Sequence, residues 1–272
     1  MNPLEWFGTY VFNPVIFHPI INILIIFYKG LLFIKVPGAF GLAIIGLTVL
    51  VRLILHPFFK QQLETAKKMA DMKPTLDKLQ AKYKKEPQKL QQEQLKLYQQ
   101  AGINPASGCL FMIIQIPVFI GLYNALSLFL LNGHAAKTIA QINSMLYWPA
   151  LKIQTIDPSF FGFNLITSPQ KSGLWYYYLI PVITGILQYL QVQATMPATP
   201  STLPVVTTDE KGNKKENSNS GDFQKAMNTQ MKYIFPLMIG WFAFTLPIGL
   251  SLYWNIFSLF SIIQYKRMNS KK

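Results

Sequence analysis

The chain has 272 residues, 51% of them hydrophobic and only 13% charged, with 25 Lys and Arg against 11 Asp and Glu for a formal charge of +14. A soluble domain carries about 25% charged residues, so the composition excludes an ordinary soluble globular protein and points to lipid as solvent, with the basic excess on one side of a bilayer. One cysteine excludes a disulfide framework and a thiolate metal cluster, and the long apolar runs exclude disorder over most of the chain.

In chain order, the first 28 residues hold a single charged side chain, Glu5, so no basic n-region of a cleavable signal is visible. Val15–Ile34 is apolar but broken at its start by Pro14 and Pro19, and Asn22 and Lys29, seven apart, fall on one helical face. It reads as an interfacial amphipathic helix within an external segment 1–38. Five stretches approach the roughly 20 residues a span requires. They are Ala39–Pro57, Pro105–Leu131, Leu174–Gln193, Met231–Leu246 and Gly249–Tyr265. The last two form a short hairpin, 231–265, joined at Leu246-Pro247-Ile248-Gly249.

The connecting segments differ in charge. Residues 58–104 carry ten lysines against five acids, and the tail 266–272 adds Lys266, Arg267, Lys271 and Lys272. Residues 132–173 hold only Lys137, Lys152 and Lys171 and are rich in aromatic residues and proline. Positive-inside logic places 58–104 and the tail in the cytoplasm and 132–173 outside, with the N-terminus outside. Within 58–104, Met69, Met72, Leu76, Leu79 and Tyr83 follow three-four spacing, and Leu90, Leu97 and Tyr98 resume it after Lys84-Lys85-Glu86-Pro87. This predicts two amphipathic helices in a hairpin, with Pro74 kinking the first. Gly102 ends the second, and Asn104-Pro105 caps the next span. Residues 194–230 are polar, with Pro, Ser, Asn and Gly, and read as a flexible cytoplasmic loop. The expected fold is an all-α integral membrane protein: a five-helix transmembrane core, a cytoplasmic helical hairpin and an external N-terminal interfacial helix.

Arg52 is the only formal charge well inside any of these spans, and no Asp or Glu lies within a span to pair with it. Such an arginine costs on the order of 2.5–3.5 kcal/mol on insertion scales. It is met by water in a cavity or snorkels to the nearby interface marked by His56 and Lys60, and a water-exposed arginine is the reading adopted. Thr48 lies one turn away on its face, Gln115 sits mid-span beside Pro117, and Gln188, Gln191, Tyr253, Trp254 and Asn255 add polar groups to the spans. An interhelical hydrogen bond would explain any one glutamine as well as cavity lining does. His18, His56 and His134 are far apart in the sequence, and no carboxylate pair or Ser-His or Ser-Lys arrangement lies in a span. No enzyme, metal or cofactor chemistry is therefore expected, nor any specific recognition of nucleic acid. Cys109 reads as a small packing residue.

The stretches Thr48-Val49-Leu50-Val51-Arg52 with His56-Pro57, Met72-Lys73-Pro74, Asn104-Pro105-Ala106-Ser107-Gly108-Cys109 with Ile114-Gln115-Ile116-Pro117, and Leu246-Pro247-Ile248-Gly249-Leu250-Ser251-Leu252-Tyr253-Trp254 together resemble the YidC family of membrane protein insertases. The likeness runs over roughly residues 12–267 and covers four motifs in family order. It implies five core helices around a hydrophilic groove open to the cytoplasm and the lipid, closed to the outside. It maps the family's groove arginine onto Arg52, its groove threonine onto Thr48, and its contacts with an entering substrate helix onto Phe242 and Trp254. It also favours an external interfacial helix at Val15–Ile34 over a sixth span. The polar loop at 195–228 is longer than the family's, and the basic tail is shorter.

On this reading Arg52 recruits acidic flanks of nascent membrane proteins, Thr48, Gln115 and Gln188 hydrate the groove, and Phe242, Tyr253 and Trp254 line an apolar exit to lipid. The hairpin 60–101 would catch substrate or dock the Sec translocon, ribosomes or targeting factors. The expected place is a bacterial cytoplasmic membrane. A non-inserting assembly scaffold and a small anion channel or transporter are the rival readings.

Overall fold

A computed structural model describes residues 8–83, 86–102, 107–132, 136–195 and 230–269. The polar loop at 195–228 (beyond Thr195), the Asn104-Pro105 cap, His134 and the last two lysines lie outside the described residues. A π-helical entry, Gly8–Phe17, runs into α1 (His18–Phe33), followed by α2 (Ala39–Ile54), α3 (His56–Asp71), α4 (Lys73–Lys82) and α5 (Pro87–Gln100). Next come α6 (Ser107–Asn132), α7 (Ala136–Ser144), a two-stranded hairpin of β1 (Ser159–Phe160) and β2 (Phe163–Asn164), and α8 (Pro169–Ser172). The chain closes with α9 (Leu179–Thr195), a π-helical turn Gln230–Ile234, α10 (Phe235–Thr245) and α11 (Ile248–Asn269). Among the described residues it is an all-α protein apart from that hairpin.

Prolines set the helix boundaries. Pro57, Pro74 and Pro87 each stand in the first turn of a helix, where the missing N–H removes a donor that has no intrahelical partner. The stretch expected as one span, 39–57, therefore breaks at Leu55, and α2 and α3 meet at 64°. The kink expected at Pro74 is a break at Met72, between Asp71 and Lys73. Leu76 and Tyr98, with Met69, Met72 and Leu97 around them, hold α3, α4 and α5 together in a small cluster of their own.

The main core joins Ile21, Leu24 and Ile25 of α1, Phe40, Ile44 and Leu47 of α2, and Leu122, Leu126 and Phe129 of α6. Ile142, Ile153, Ile156 and Leu165 extend it into residues 136–173, which form a folded cap. That cap supplies the carbonyls for α11's first donors: Ile248 N–H reaches Thr167 O at 3.2 Å and Gly249 N–H reaches Leu165 O at 2.9 Å. It also meets the polar face of α1. Asn22 donates to Met145 O at 2.9 Å and accepts from Tyr147 N–H at 2.8 Å, while Lys29 donates to the carbonyls of Ala150 and Lys152. The two polar groups that marked this segment as amphipathic thus both bond to protein backbone.

Among the described residues, Phe12–Phe33 and Ile248–Arg267 are long and apolar enough to cross a membrane, and α2 with α3 makes a third candidate if the bent pair is one span. α9 and α10 are shorter and pack backbone to backbone at Gly185 and Gly240, where a Cβ on Gly240 would stand 3.3 Å from Pro181 O. Their outer faces, Val182, Ile183, Ile186 and Leu190 on α9 and Leu237, Met238 and Trp241 on α10, are exposed. Apolar faces of this extent need lipid or protein as a neighbour.

Candidate functional site

Arg52 lies in the last turn of α2 and is 2% exposed. One guanidinium nitrogen, Nη2, donates to Phe257 O at 2.7 Å and to Ser261 Oγ. Ser261 Oγ itself donates to Phe257 O at 3.0 Å. The guanidinium carbon stands 4.1 Å from the ring centre of Phe59 and 3.7 Å from that of Phe257, so the cation is held between two aromatic faces. Its Nε is buried and has no hydrogen-bond partner. The ion pairs among the described residues, Lys60–Glu64, Lys89–Glu86 and Lys96–Glu93, all lie in the exposed hairpin. There the hydrogen bond from Lys96 holds the Glu93 carboxyl below its ordinary value and raises the Lys96 ammonium.

The cavity beside Arg52 is lined by Thr48 and Val51 of α2, Leu55, Phe59 of α3, Val118 and Leu122 of α6, and Tyr253 and Phe257 of α11. At about 10 Å³ it is close to the smallest volume that holds one water. The water-exposed arginine expected from the sequence is therefore not the geometry found. The side chain is closed in because two rings and a carbonyl replace water around it, an arrangement that suits a weakly hydrated, planar guanidinium.

Thr48 is buried and donates back to Ile44 O at 2.7 Å, within its own helix. Gln188 of α9 is buried, and its Oε1 accepts from Trp254 Nε1 at 3.1 Å and Ser258 Oγ at 3.4 Å. Phe119 of α6 touches both groups, 6.5 Å from Tyr253 and 5.4 Å from Trp254 between ring centres. The helices thus bring Thr48, Arg52, Gln188, Tyr253 and Trp254 into one neighbourhood. Phe242, 42% exposed on α10, is not among the cavity-lining residues. Gln115 and Cys109 lie on α6, but their side chains are outside the described residues.

Phe59, Phe257, Ser258 and Ser261 complete the site and were not singled out from the sequence. Tyr253, Phe257 and Ser261 repeat every four residues, with Trp254 and Ser258 beside them, so a polar and aromatic stripe on α11 was the available signal. No group of three or more His, Cys, Asp and Glu that could hold a metal occurs among the described residues.

A family model described as "60Kd inner membrane protein" matches residues 32–272. Among curated proteins, the chain is 32% identical over 263 residues to "Membrane protein insertase YidC" of Oceanobacillus iheyensis, covering 92% of this chain and 86% of that one. It is 33% identical over 230 residues to "Membrane protein insertase MisCA" of Bacillus subtilis, covering 83% and 68%. It is 32% identical over 241 residues to "Inner membrane ALBINO3-like protein 2, chloroplastic" of Chlamydomonas reinhardtii, covering 86% of this chain and 50% of that one. The chain therefore spans about half the length of that chloroplast relative.

Proposed function

The chain belongs to the 60Kd inner membrane protein family, and from that membership together with the buried arginine we propose that it is a membrane protein insertase in which Arg52 receives the acidic flank of an entering substrate. The observation that carries the proposal is a cation taken out of water with no carboxylate beside it among the described residues. Desolvating a charge costs several kcal/mol unless its surroundings compensate. A carbonyl, a hydroxyl and two ring faces compensate in part, and a substrate carboxylate offers the stronger, charge-assisted partner.

The family's bacterial members compared above carry the name membrane protein insertase, and the product of insertion is a membrane protein in lipid. The barrier is the polar flank, since each unpaired polar group in hydrocarbon costs several kcal/mol. In this reading α2 with α3, α6, α9, α10 and α11 form a five-helix core, and α1 lies at the outer interface. The folded cap closes the outer end, so a flank reaches Arg52 from the cytoplasm or from the bilayer. The resting site is shut. Phe59, which covers the guanidinium, sits on α3, and α3 leaves α2 at the bend beside Leu55. Movement of the hairpin about that bend uncovers the cation, and docking of ribosomes, targeting factors or the Sec translocon on 60–101 is the natural drive. Gln188, Trp254 and, further out, Phe242 lie on the path by which an apolar helix leaves for lipid, and Thr48 borders its inner end. The hydrophobic gain of that departure, about 25 cal/mol per Å² buried, draws the flank across.

The test is insertion of a single-span protein with a short acidic external tail, in cells depleted of their own insertase and read by protease protection. Wild type and Arg52→Lys are expected to insert it, Arg52→Ala to fail, and a charge-neutral tail to lose the dependence on Arg52. Equal insertion by Arg52→Ala overturns the recruiting role. Failure of well-expressed wild type overturns the insertase reading in favour of a non-inserting scaffold.

A further inference from the structure

The only two non-glycine residues with positive φ among the described residues are Lys35 at 55°, in the turn between α1 and α2, and Phe161 at 45°, in the folded cap. Ser159 pairs with Asn164 and Phe160 with Phe163, so Phe161 and Gly162 form a two-residue hairpin loop, both at positive φ. A type I′ loop of this kind favours Asn-Gly, and a phenylalanine in its first position is strained. The strain is not recovered by contacts among the described residues. Phe161 is 68% exposed, and the ring contact found for it is with its neighbour Phe160, at 4.9 Å.

The tip is held rigidly. The Phe160 ring fills a notch on α2, where a Cβ on Gly41 would fall 2.2 Å from it and one on Gly38 3.0 Å. On the other side Tyr176 donates to Gly162 O at 3.4 Å and packs on Phe163 at 5.3 Å. Trp175, 75% exposed, adjoins Tyr176, and Phe33, 88% exposed, ends α1, with Ile34 opening the turn that leads to Gly38. The positive φ of Lys35 falls in that same turn. Strained residues that gain nothing internally point outward, to what they contact.

We propose that Phe161, with Phe33, Ile34 and Trp175, is an anchor inserted into the headgroup and upper acyl region of the outer leaflet, with Lys35 reaching lipid phosphates. Two features select lipid over a protein partner. The edge stands where two apolar helices begin, α2 just after Gly38 and α9 just after Tyr178, and such helix ends mark the boundary of the hydrocarbon. Its exposed residues, aromatic rings beside a lysine, are those that settle at that boundary. The anchor fixes the cap against the bilayer, so the external end of the bundle keeps its depth while the helices beneath it move.

The experiment places a single cysteine at 161 in a Cys109→Ser background, labels it with an environment-sensitive fluorophore, and reconstitutes the protein in phosphatidylethanolamine and phosphatidylglycerol vesicles. Expected are a blue-shifted emission relative to the same label at Gln141, loss of most emission to lipids carrying a doxyl group near the glycerol, and little loss to iodide. Iodide quenching equal to that at Gln141 overturns the proposal in favour of a solvent-exposed tip. Protection from both quenchers that depends on protein density overturns it in favour of a second copy or protein partner. Phe161→Asn keeps the turn and removes the ring. With the label moved to Ser159, that variant is expected to gain iodide quenching and lose doxyl quenching, and no change in either would rule out Phe161 as the anchor.

Discussion

Among the described residues, the most voluminous side chain that is fully buried is not a core aromatic but Arg52. Its hydrogen bonds run to a carbonyl and a hydroxyl, its stacking to two phenylalanines, and its Nε is left over. Replacing a buried charge by an apolar residue of similar reach is often neutral or stabilising by about 1–4 kcal/mol. Arg52→Met is therefore expected to match or exceed wild type in thermal midpoint in detergent while losing insertion of the acidic-tailed substrate, the signature of a site kept for function at the expense of stability. A fall in midpoint comparable to a core truncation would mark Arg52 as a structural strut. Arg52 itself was legible in the sequence because a charge in an apolar run stands out. Its neighbours were not. Phe59 and Phe257 look like ordinary packing residues, and Ser261 is 209 positions away, so only the register of α3 and α11 against α2 reveals them. Its closure was also not legible, since a buried and a hydrated arginine have the same sequence.

At the scale of the elements, apolar runs located the apolar helices, and prolines near their ends were visible but their consequence was not. Pro57 was the last residue of an expected span, yet it stands in the first turn of α3, where the chain bends by 64°. Periodicity finds helices, whereas bends depend on which carbonyl a proline displaces. The cap was legible only as an aromatic, weakly charged segment, because its fold rests on scattered backbone bonds to Asn22, Lys29 and Tyr28. Gly41 gives a measurable handle on that assembly. Gly41→Ala drives a Cβ into the Phe160 ring, and overpacking of this kind costs about 1–3 kcal/mol. The hairpin is expected to lift from α2, seen as faster hydrogen exchange at Gly162–Asn164. Phe160→Leu combined with Gly41→Ala should be less destabilised than the sum of the two single changes, by a coupling of about 0.5–3 kcal/mol. Simple additivity would mean the close approach carries no energy.

For the whole molecule, charge and architecture lead to one orientation. The hairpin of α3, α4 and α5 carries ten of the 23 lysines and its own small cluster of buried residues, so it is a basic lobe with packing of its own. The cap is poor in charge and continuous with the main core. Lys and Arg near helix ends bias a chain toward having them in the cytoplasm, and α11 ends with Lys266 and Arg267 in its last turn. An orientation with the hairpin and tail inside and the cap outside satisfies both, and it is the one the proposed opening of the hairpin requires. In intact cells a membrane-impermeant maleimide is expected to label a single cysteine at Gln141 of α7. It should reach one at Lys78 of α4 only after the membrane is permeabilised, each in the Cys109→Ser background. The reverse pattern would put the lysine-rich lobe outside, leave Arg52 facing away from nascent substrates, and remove the route by which the hairpin uncovers it. Labelling of both sites in intact cells would instead indicate a mixed population of orientations, and the charge asymmetry would then be too weak to act as the topological signal.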